Sequence, residues 1–310
     1  MENRILGLHH ITAIAGNAQK NYNFYTKVLG LRLVKKTVNF DDPGTYHFYF
    51  GDEVGTPGTI LTFFPWEGIR KGISGTGMAT EIGYAIPEGS FSFWQKKLAA
   101  AGVRTQSVSH FDAAHLLFQD PDGLFLSLSE NGSSDGRAGW TADPEFKDHA
   151  LKGFQQVTLT LKSTQPTAEI LTNLFGYELK EKAGNRTRYE TSSIGTANIV
   201  DLVELPTERP GHVAGGSTHH VAFRVRDEST LMHLRTKVED MGLSITPKID
   251  RNYFFSLYFR EPGGVLFEIA TDNPGFAVDE AVDQLGSHLK LPAQYEESRS
   301  EIEKVLPQII

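Results

Sequence analysis

The sequence predicts an α+β fold of four βαβββ modules arranged as two tandem pairs. Three observations predict it. A strand-like motif recurs four times, a helix-length stretch follows each copy, and each unit closes in more strand-like sequence.

The strand motif reads GLHHITAIAG from Gly7, MATEIGYAIP from Met78, GFQQVTLTLK from Gly153 and STHHVAFRVR from Ser217. Apolar and polar residues alternate in it, the period of a half-buried strand. The helical stretches are NAQKNYNFYTKVLG, GSFSFWQKKLAAAG, TQPTAEILTNLFG and DESTLMHLRTKVEDMG. The last carries Leu231, Leu234, Val238 and Met241 at helical spacing, with Gly242 as a stop and Asp227 or Ser229 as the start cap. Two closings nearly match: DPDGLFLSLSE at 120–130 and EPGGVLFEIAT at 261–271. They align Pro121 with Pro262 and Gly123 with Gly264, a turn into a final strand. The first pair of modules spans 1–132 and the second 151–272, joined by a turn-rich linker at 133–150. Residues 273–310 read as a helical or extended C-terminal arm.

Composition narrows the function. The chain has 310 residues, 39% of them hydrophobic, which is enough for a sizeable core. Its net charge of −8 and lack of a long basic run argue against nucleic acid. The absence of cysteine excludes disulfides, thiolate metal sites and cysteine nucleophiles. The start, MENRILGLHH, lacks the features of an export signal, and no apolar run is long enough to span a bilayer. A cytoplasmic protein without membrane contact is expected, with dimerisation through exposed strand edges allowed.

Strand parity sorts candidate ligands. Successive strand residues face opposite sides. In the fourth module His219, Val221, Phe223 and Val225 share the face that should lie under the helix, so His220 faces the open, concave side. In the closing strand Val265, Phe267 and Ile269 are core, so Glu268 faces the other way. The same rule puts His10 and Thr12 on the concave side of the first module. Gln156 and Ser127 stand where a second set of ligands would be. Only His10, His220 and Glu268 form a complete set, which requires the first and fourth modules to pair. Two imidazoles and a carboxylate leave open positions on a divalent metal, as in non-haem iron(II) oxygenases, and the same donors suit Mn²⁺ or Zn²⁺.

With these residues the chain resembles the vicinal-oxygen-chelate superfamily, which includes glyoxalase I, bleomycin-resistance proteins and extradiol dioxygenases. It is most similar there to the hydroquinone-type ring-cleaving dioxygenases. The resemblance is carried by the doubled histidines His9–His10 and His219–His220, by DRNYFFSLYFREPGGVLFEIATDNPGF, and by the C-terminal VDEAVDQLGSHLKLPAQYEESRSEIEKVLP. It implies two tandem vicinal-oxygen-chelate domains, Fe(II) on His10, His220 and Glu268, and a para-diol aromatic and O2 as substrates. It also places His9, His219, Arg251, Tyr258 and Thr12 near the substrate. Chemically, His219 or His9 would take the phenol proton and Arg251 would hold developing negative charge. Arg251 could instead pair with Asp250 or Glu261, and Tyr258 could be a cross-strand packing residue. Two other functions share the scaffold: a glyoxalase-like metal-dependent isomerase or lyase, and a non-catalytic aromatic or drug binder. The aromatic runs at 48–50 and 254–255 read as strand core, and His47, His110 and His115 as surface or core.

Overall fold

The computed structural model describes residues 4–111, 113–130 and 135–310, so positions 133 and 134 of the expected linker lie outside the described residues. The first module comprises β1 (Leu8–Ala15), α1 (Ala18–Asn23), β2 (Arg32–Val38), β3 (Tyr46–Gly51) and β4 (Ile60–Pro65). The second comprises β5 (Met78–Ile86), α2 (Phe91–Ala100), β6 (Thr105–His110), β7 (Ala113–Gln119) and β8 (Phe125–Glu130). The third comprises β9 (Gly153–Leu161), α3 (Gln165–Glu169), β10 (Glu178–Ala183), β11 (Arg186–Glu190) and β12 (Ile199–Glu204). The fourth comprises β13 (Ser217–Val225), α4 (Glu228–Asp240), β14 (Ile249–Asp250), β15 (Phe254–Arg260) and β16 (Leu266–Pro274).

The helices follow their local chemistry. Asp227 caps α4 by accepting the Thr230 N–H at 2.9 Å, and Leu231, Leu234 and Val238 bury the stripe that the spacing predicts. Gly242 ends the helix at φ 76°, a left-handed conformation that costs glycine little. The first and third helical stretches differ from expectation: α1 and α3 are short, and each runs on into a π-helical turn, Phe24–Val28 and Ile170–Leu174.

Two eight-stranded sheets result. One runs β14-β15-β16-β13-β1-β4-β3-β2 and unites the fourth module with the first. The other runs β10-β11-β12-β9-β5-β8-β7-β6 and unites the third with the second. Each sheet therefore draws on both halves of the sequence, and the joint is the antiparallel pair β1–β13 or β5–β9. Helix-side residues such as Val221, Phe223, Leu234 and Phe267 belong to one continuous core. A smaller apolar cluster, including Tyr49, Ala222, Phe254 and Ala270, lies on the opposite face of the first sheet.

The C-terminal arm ties the two ends of that sheet together. It leaves β16, crosses to β2 and β3, and ends in α5 (Arg299–Val305). Lys35 of β2 is buried, with its Nζ 2.6 Å from Asp279 and 2.5 Å from Glu280 and lying 4.8 Å from the Tyr253 ring centre. Gly286 is required where the arm crosses β2, because a Cβ there would lie 1.9 Å from the Leu33 carbonyl oxygen. Lys35→Met leaves the buried Glu280 carboxylate without its cation, a loss of about 3–5 kcal/mol for breaking a buried pair. We expect a lower urea midpoint and faster proteolysis within the arm; an unchanged midpoint would show that the arm is held by its apolar contacts alone.

Candidate metal centre

Three neighbouring strands build the centre. In register, Ala222 of β13 stands beside His10 of β1 on one side and Glu268 of β16 on the other, with His220 two residues earlier on the same face. The small Ala222 side chain leaves the space above it to the three larger ones. Their ligand atoms all lie within 4.8 Å of one another: the carboxylate Oε2 is 3.1 Å from His10 Nε2 and 2.9 Å from His220 Nε2. Glu268 is fully buried, yet neither imidazole meets Oε2 with hydrogen-bond geometry, so this oxygen is an orphaned acceptor. Its twin Oε1 is held by the Ser256 hydroxyl of β15. Burial pushes the Glu268 carboxyl up, but the adjacent His10 and His220 outweigh it and hold the group well below the usual carboxylate range. An ionised oxygen with no hydrogen to accept, facing two ring nitrogens, fits a divalent cation better than a hydrogen-bond network.

The doubled histidines are explained by β-bulges. The β1–β13 register slips at His9 and again at His219, so each stands unpaired beside the ligand that follows it. Equivalent slips occur in the second sheet at Thr80 and Gln155, which makes the bulge a property of the module. The bulge lets adjacent side chains meet: Nδ1 to Nδ1 is 2.9 Å for His9–His10 and 2.8 Å for His219–His220. His9 Nε2 lies 3.1 Å from the Thr271 carbonyl oxygen and therefore carries the hydrogen, leaving Nδ1 to accept from His10 Nδ1–H. That tautomer frees the His10 Nε2 lone pair for a metal, the outer-shell arrangement common to metal-binding histidines. Burial and the neighbouring ligand imidazole drive His9 well below its ordinary value and His219 down to about 4, so both rings are neutral.

Above the centre is a cavity of about 250 Å³. Its walls include His219, Arg251, Phe254, Tyr258 and Leu266 from the fourth module, and His47, Tyr49, Phe64 and Trp66 from the first. Arg251 Nε donates to the Tyr258 hydroxyl at 3.3 Å, and its guanidinium lies 5.8 Å from the Phe40 ring centre. Burial disfavours the Arg251 charge, but Tyr258 and Glu268 more than restore it. Asp250 and Glu261 instead accept backbone N–H groups of their own turns. His9 lies behind His10 and does not line the cavity. Thr12 shares the face of His10, but its hydroxyl is 2.8 Å from that of Thr62. His47, Tyr49 and Phe254, which the sequence alone places in core or surface, are cavity wall. The signal for two of them was available, because parity along β3 puts His47 and Tyr49 on one face and buries Phe48 and Phe50 on the other.

The equivalent place in the second sheet holds Glu81, Gln156 and Ser127. The Ser127 hydroxyl donates to Glu81 at 2.6 Å, and Arg186 lies 3.8 Å from the same carboxylate. Among the described residues, His10, His220 and Glu268 are the one group whose ligand atoms converge in this way. His115, buried beside Gln156, is pushed down to about 4 by burial and by His110.

The profile of the Glyoxalase/Bleomycin resistance protein/Dioxygenase superfamily matches residues 7–128 and 153–269, and the chain belongs to that family. The superfamily is metal-dependent, and the three converging residues are its candidate site here. Relatives of this chain at 36–44% identity are named ring-cleaving or hydroquinone dioxygenases. The chain is 44% identical over 306 residues to MhqO of Bacillus subtilis (strain 168), named a ring-cleaving dioxygenase, covering 99% of this chain and 97% of that protein. It is 36% identical over 309 residues to the chlorohydroquinone/hydroquinone 1,2-dioxygenase of Sphingobium indicum, covering 96% and 95%. A crystal structure of a Bacillus subtilis protein described as a dioxygenase superposes with a TM-score of 0.95 at 44% identity, covering 99% of this chain and 98% of that one. Glyoxalase I from Zea mays shares the fold, with a TM-score of 0.64 at 15% identity over 86% of this chain and 92% of that one. Among the described residues, no helix is long and apolar enough to cross a membrane.

Glu268→Gln removes the anionic ligand without changing volume. Calorimetric titration should then detect no tight divalent metal binding while the circular dichroism stays native. Ser256→Ala, which frees Oε1, should weaken binding about 10–100-fold; metal affinity equal to wild type in both variants would reject the site. A pH test isolates His115. Its folded value near 4 lies below the unfolded 6.5, so the unfolded chain binds the extra proton in between and stability falls as pH drops from 6.5 to 4. His115→Gln should flatten that fall by up to about 3 kcal/mol in urea unfolding, and parallel pH curves for the two proteins would refute the assignment.

Proposed function

We propose that the chain is an Fe(II)-dependent dioxygenase that opens the ring of hydroquinone-type aromatics and inserts both atoms of O2. The convergence of His10, His220 and the orphaned Glu268 oxygen on one buried point, at the floor of a cavity of about 250 Å³, supports this most directly. That volume is below the roughly 300–1,000 Å³ common for drug-sized ligands and suits a single ring. The relatives that turn over hydroquinones or cleave rings point the same way.

Iron held by His10, His220 and Glu268 would supply the redox contact between a closed-shell diol and O2. The chain's own residues do the rest. Arg251, a half-buried cation on the cavity wall, stabilises the ionised diol and the anionic oxygen that develops during cleavage. His219 donates from Nε2–H into the cavity, because its Nδ1 is taken by His220. That makes it a hydrogen-bond donor to developing negative charge rather than a base. Tyr258, raised above its ordinary value by burial and by Glu268, keeps its hydrogen and presents Arg251. His9 sets the tautomer of His10 from behind. Phe254, Phe64 and Trp66 exclude water and face the ring.

Anaerobic loading with Fe(II), followed by oxygen-electrode assays over hydroquinones and catechols, tests the proposal. Equimolar O2 consumption with a hydroquinone, and both labelled atoms of isotopic O2 in a ring-opened product, are expected. Turnover without O2 would mean an isomerase, and chelator-insensitive binding without turnover would mean a binder. Arg251→Ala should lower kcat/KM by about 10²–10³, the cost of losing one charge-stabilising donor.

A further inference from the structure

The first module carries a hydrogen-bonded line that the chemistry above does not use. The Tyr49 hydroxyl is 2.9 Å from His47 Nδ1, and His47 Nε2 is 2.9 Å from Thr62 Oγ1. Thr62 Oγ1 is in turn 2.8 Å from Thr12 Oγ1. The line crosses β3, β4 and β1, and register holds it in place, since Thr62 stands beside Tyr49 on one side and Thr12 on the other. His47 and Tyr49 both wall the cavity.

With both nitrogens engaged, His47 has one ring hydrogen, a state that burial favours. The line then has two polarities. In one, Tyr49 O–H donates to Nδ1, Nε2–H donates to Thr62, and Thr62 donates to Thr12. In the other every donor reverses, Nδ1–H donates to the tyrosine oxygen, and the Tyr49 O–H is free. The two differ only in which end keeps a spare hydrogen. Tyr49 can therefore accept from a hydroxyl or donate to an oxygen, and His47 decides which.

Position says what it meets. Arg251 and Tyr258 are bound to each other, and Tyr258 stands in register with Glu268, so both serve the ligand end of the cavity. β3 lies two strands beyond β1. The hydroxyls of a para-diol sit at opposite ends of its ring, while those of an ortho-diol are adjacent. We propose that the Tyr49 hydroxyl, oriented by His47, is the partner of the second hydroxyl of a para-diol whose first lies at His10, His220 and Glu268. Tyr49 is thus the contact that distinguishes para- from ortho-diols, and His47 is its positioning residue. The assignment rests on the reading that the cavity takes diols.

Anaerobic equilibrium binding of hydroquinone, catechol and phenol to metal-loaded protein tests it, with metal content measured for each variant. Phenol lacks the second hydroxyl, so the wild type should bind hydroquinone more tightly than phenol. Tyr49→Phe should weaken hydroquinone binding about five- to tenfold, one hydrogen bond's worth, and leave phenol binding unchanged. His47→Phe, which keeps an aromatic ring but removes both nitrogens, should move the ratio the same way. Equal losses for hydroquinone and phenol, an unchanged hydroquinone affinity in Tyr49→Phe, or a wild type without preference for hydroquinone over phenol would each overturn the assignment. Oxygen uptake by the wild type is a separate readout, so failure of the dioxygenase reading is distinguishable from failure of this one.

Discussion

The pairing of β1 with β13 is the constraint on which the site depends. It joins the first and last modules in one antiparallel ladder, and with β16 alongside it sets His10, His220 and Glu268 around Ala222. Residues separated by 210 and 258 positions in the chain meet because backbone hydrogen bonds hold three strands about one strand-spacing apart. A one-residue slip in this ladder would turn the ligands into the core and the core outward, so the buried valines and phenylalanines of the opposite face also hold the metal site in register.

The two sheets repeat one architecture with different chemistry. Both have bulges at the same two places, and both bring a polar trio onto the face opposite the helices. In the first sheet the trio is two imidazoles and a carboxylate whose free oxygen has no hydrogen to accept. In the second, a serine hydroxyl, an amide and an arginine surround the carboxylate, and a carboxylate already supplied with donors has little reason to take a cation. The bulge itself is indifferent to this choice. It supplies an extra side chain beside each concave position, and in the first sheet that side chain is a second histidine that fixes the tautomer of the ligand.

Electrostatics on the active face follow from burial. Burial lowers His9, His47, His219 and His220 below the ordinary imidazole value, which favours their neutral rings. Among the described residues lining the cavity the one cation, Arg251, is sustained by Glu268 and a tyrosine rather than by a surface carboxylate. The C-terminal arm adds a mechanical element: by crossing from β16 to β2 it bridges the two ends of the sheet that forms the cavity walls.

Much of this was legible in the sequence, for a physical reason. Strand and helix periods are local, so the four modules, an α4 start at Asp227 or Ser229, and the convex or concave side of strand residues away from a bulge follow from spacing alone. Parity alone also placed His10, His220 and Glu268 on one kind of face, and could have placed His47 and Tyr49 there too. The tertiary structure decided the rest. Alternation cannot see a bulge, so the contact between neighbouring histidines was hidden. Nor can it see which strands adjoin, so the link from Thr12 through Thr62 to His47, the Ser256 hold on Glu268 and the path of the arm appeared only when distant segments came together. A side chain's face is set by its own backbone, but its partners are set by strands contributed from elsewhere in the chain.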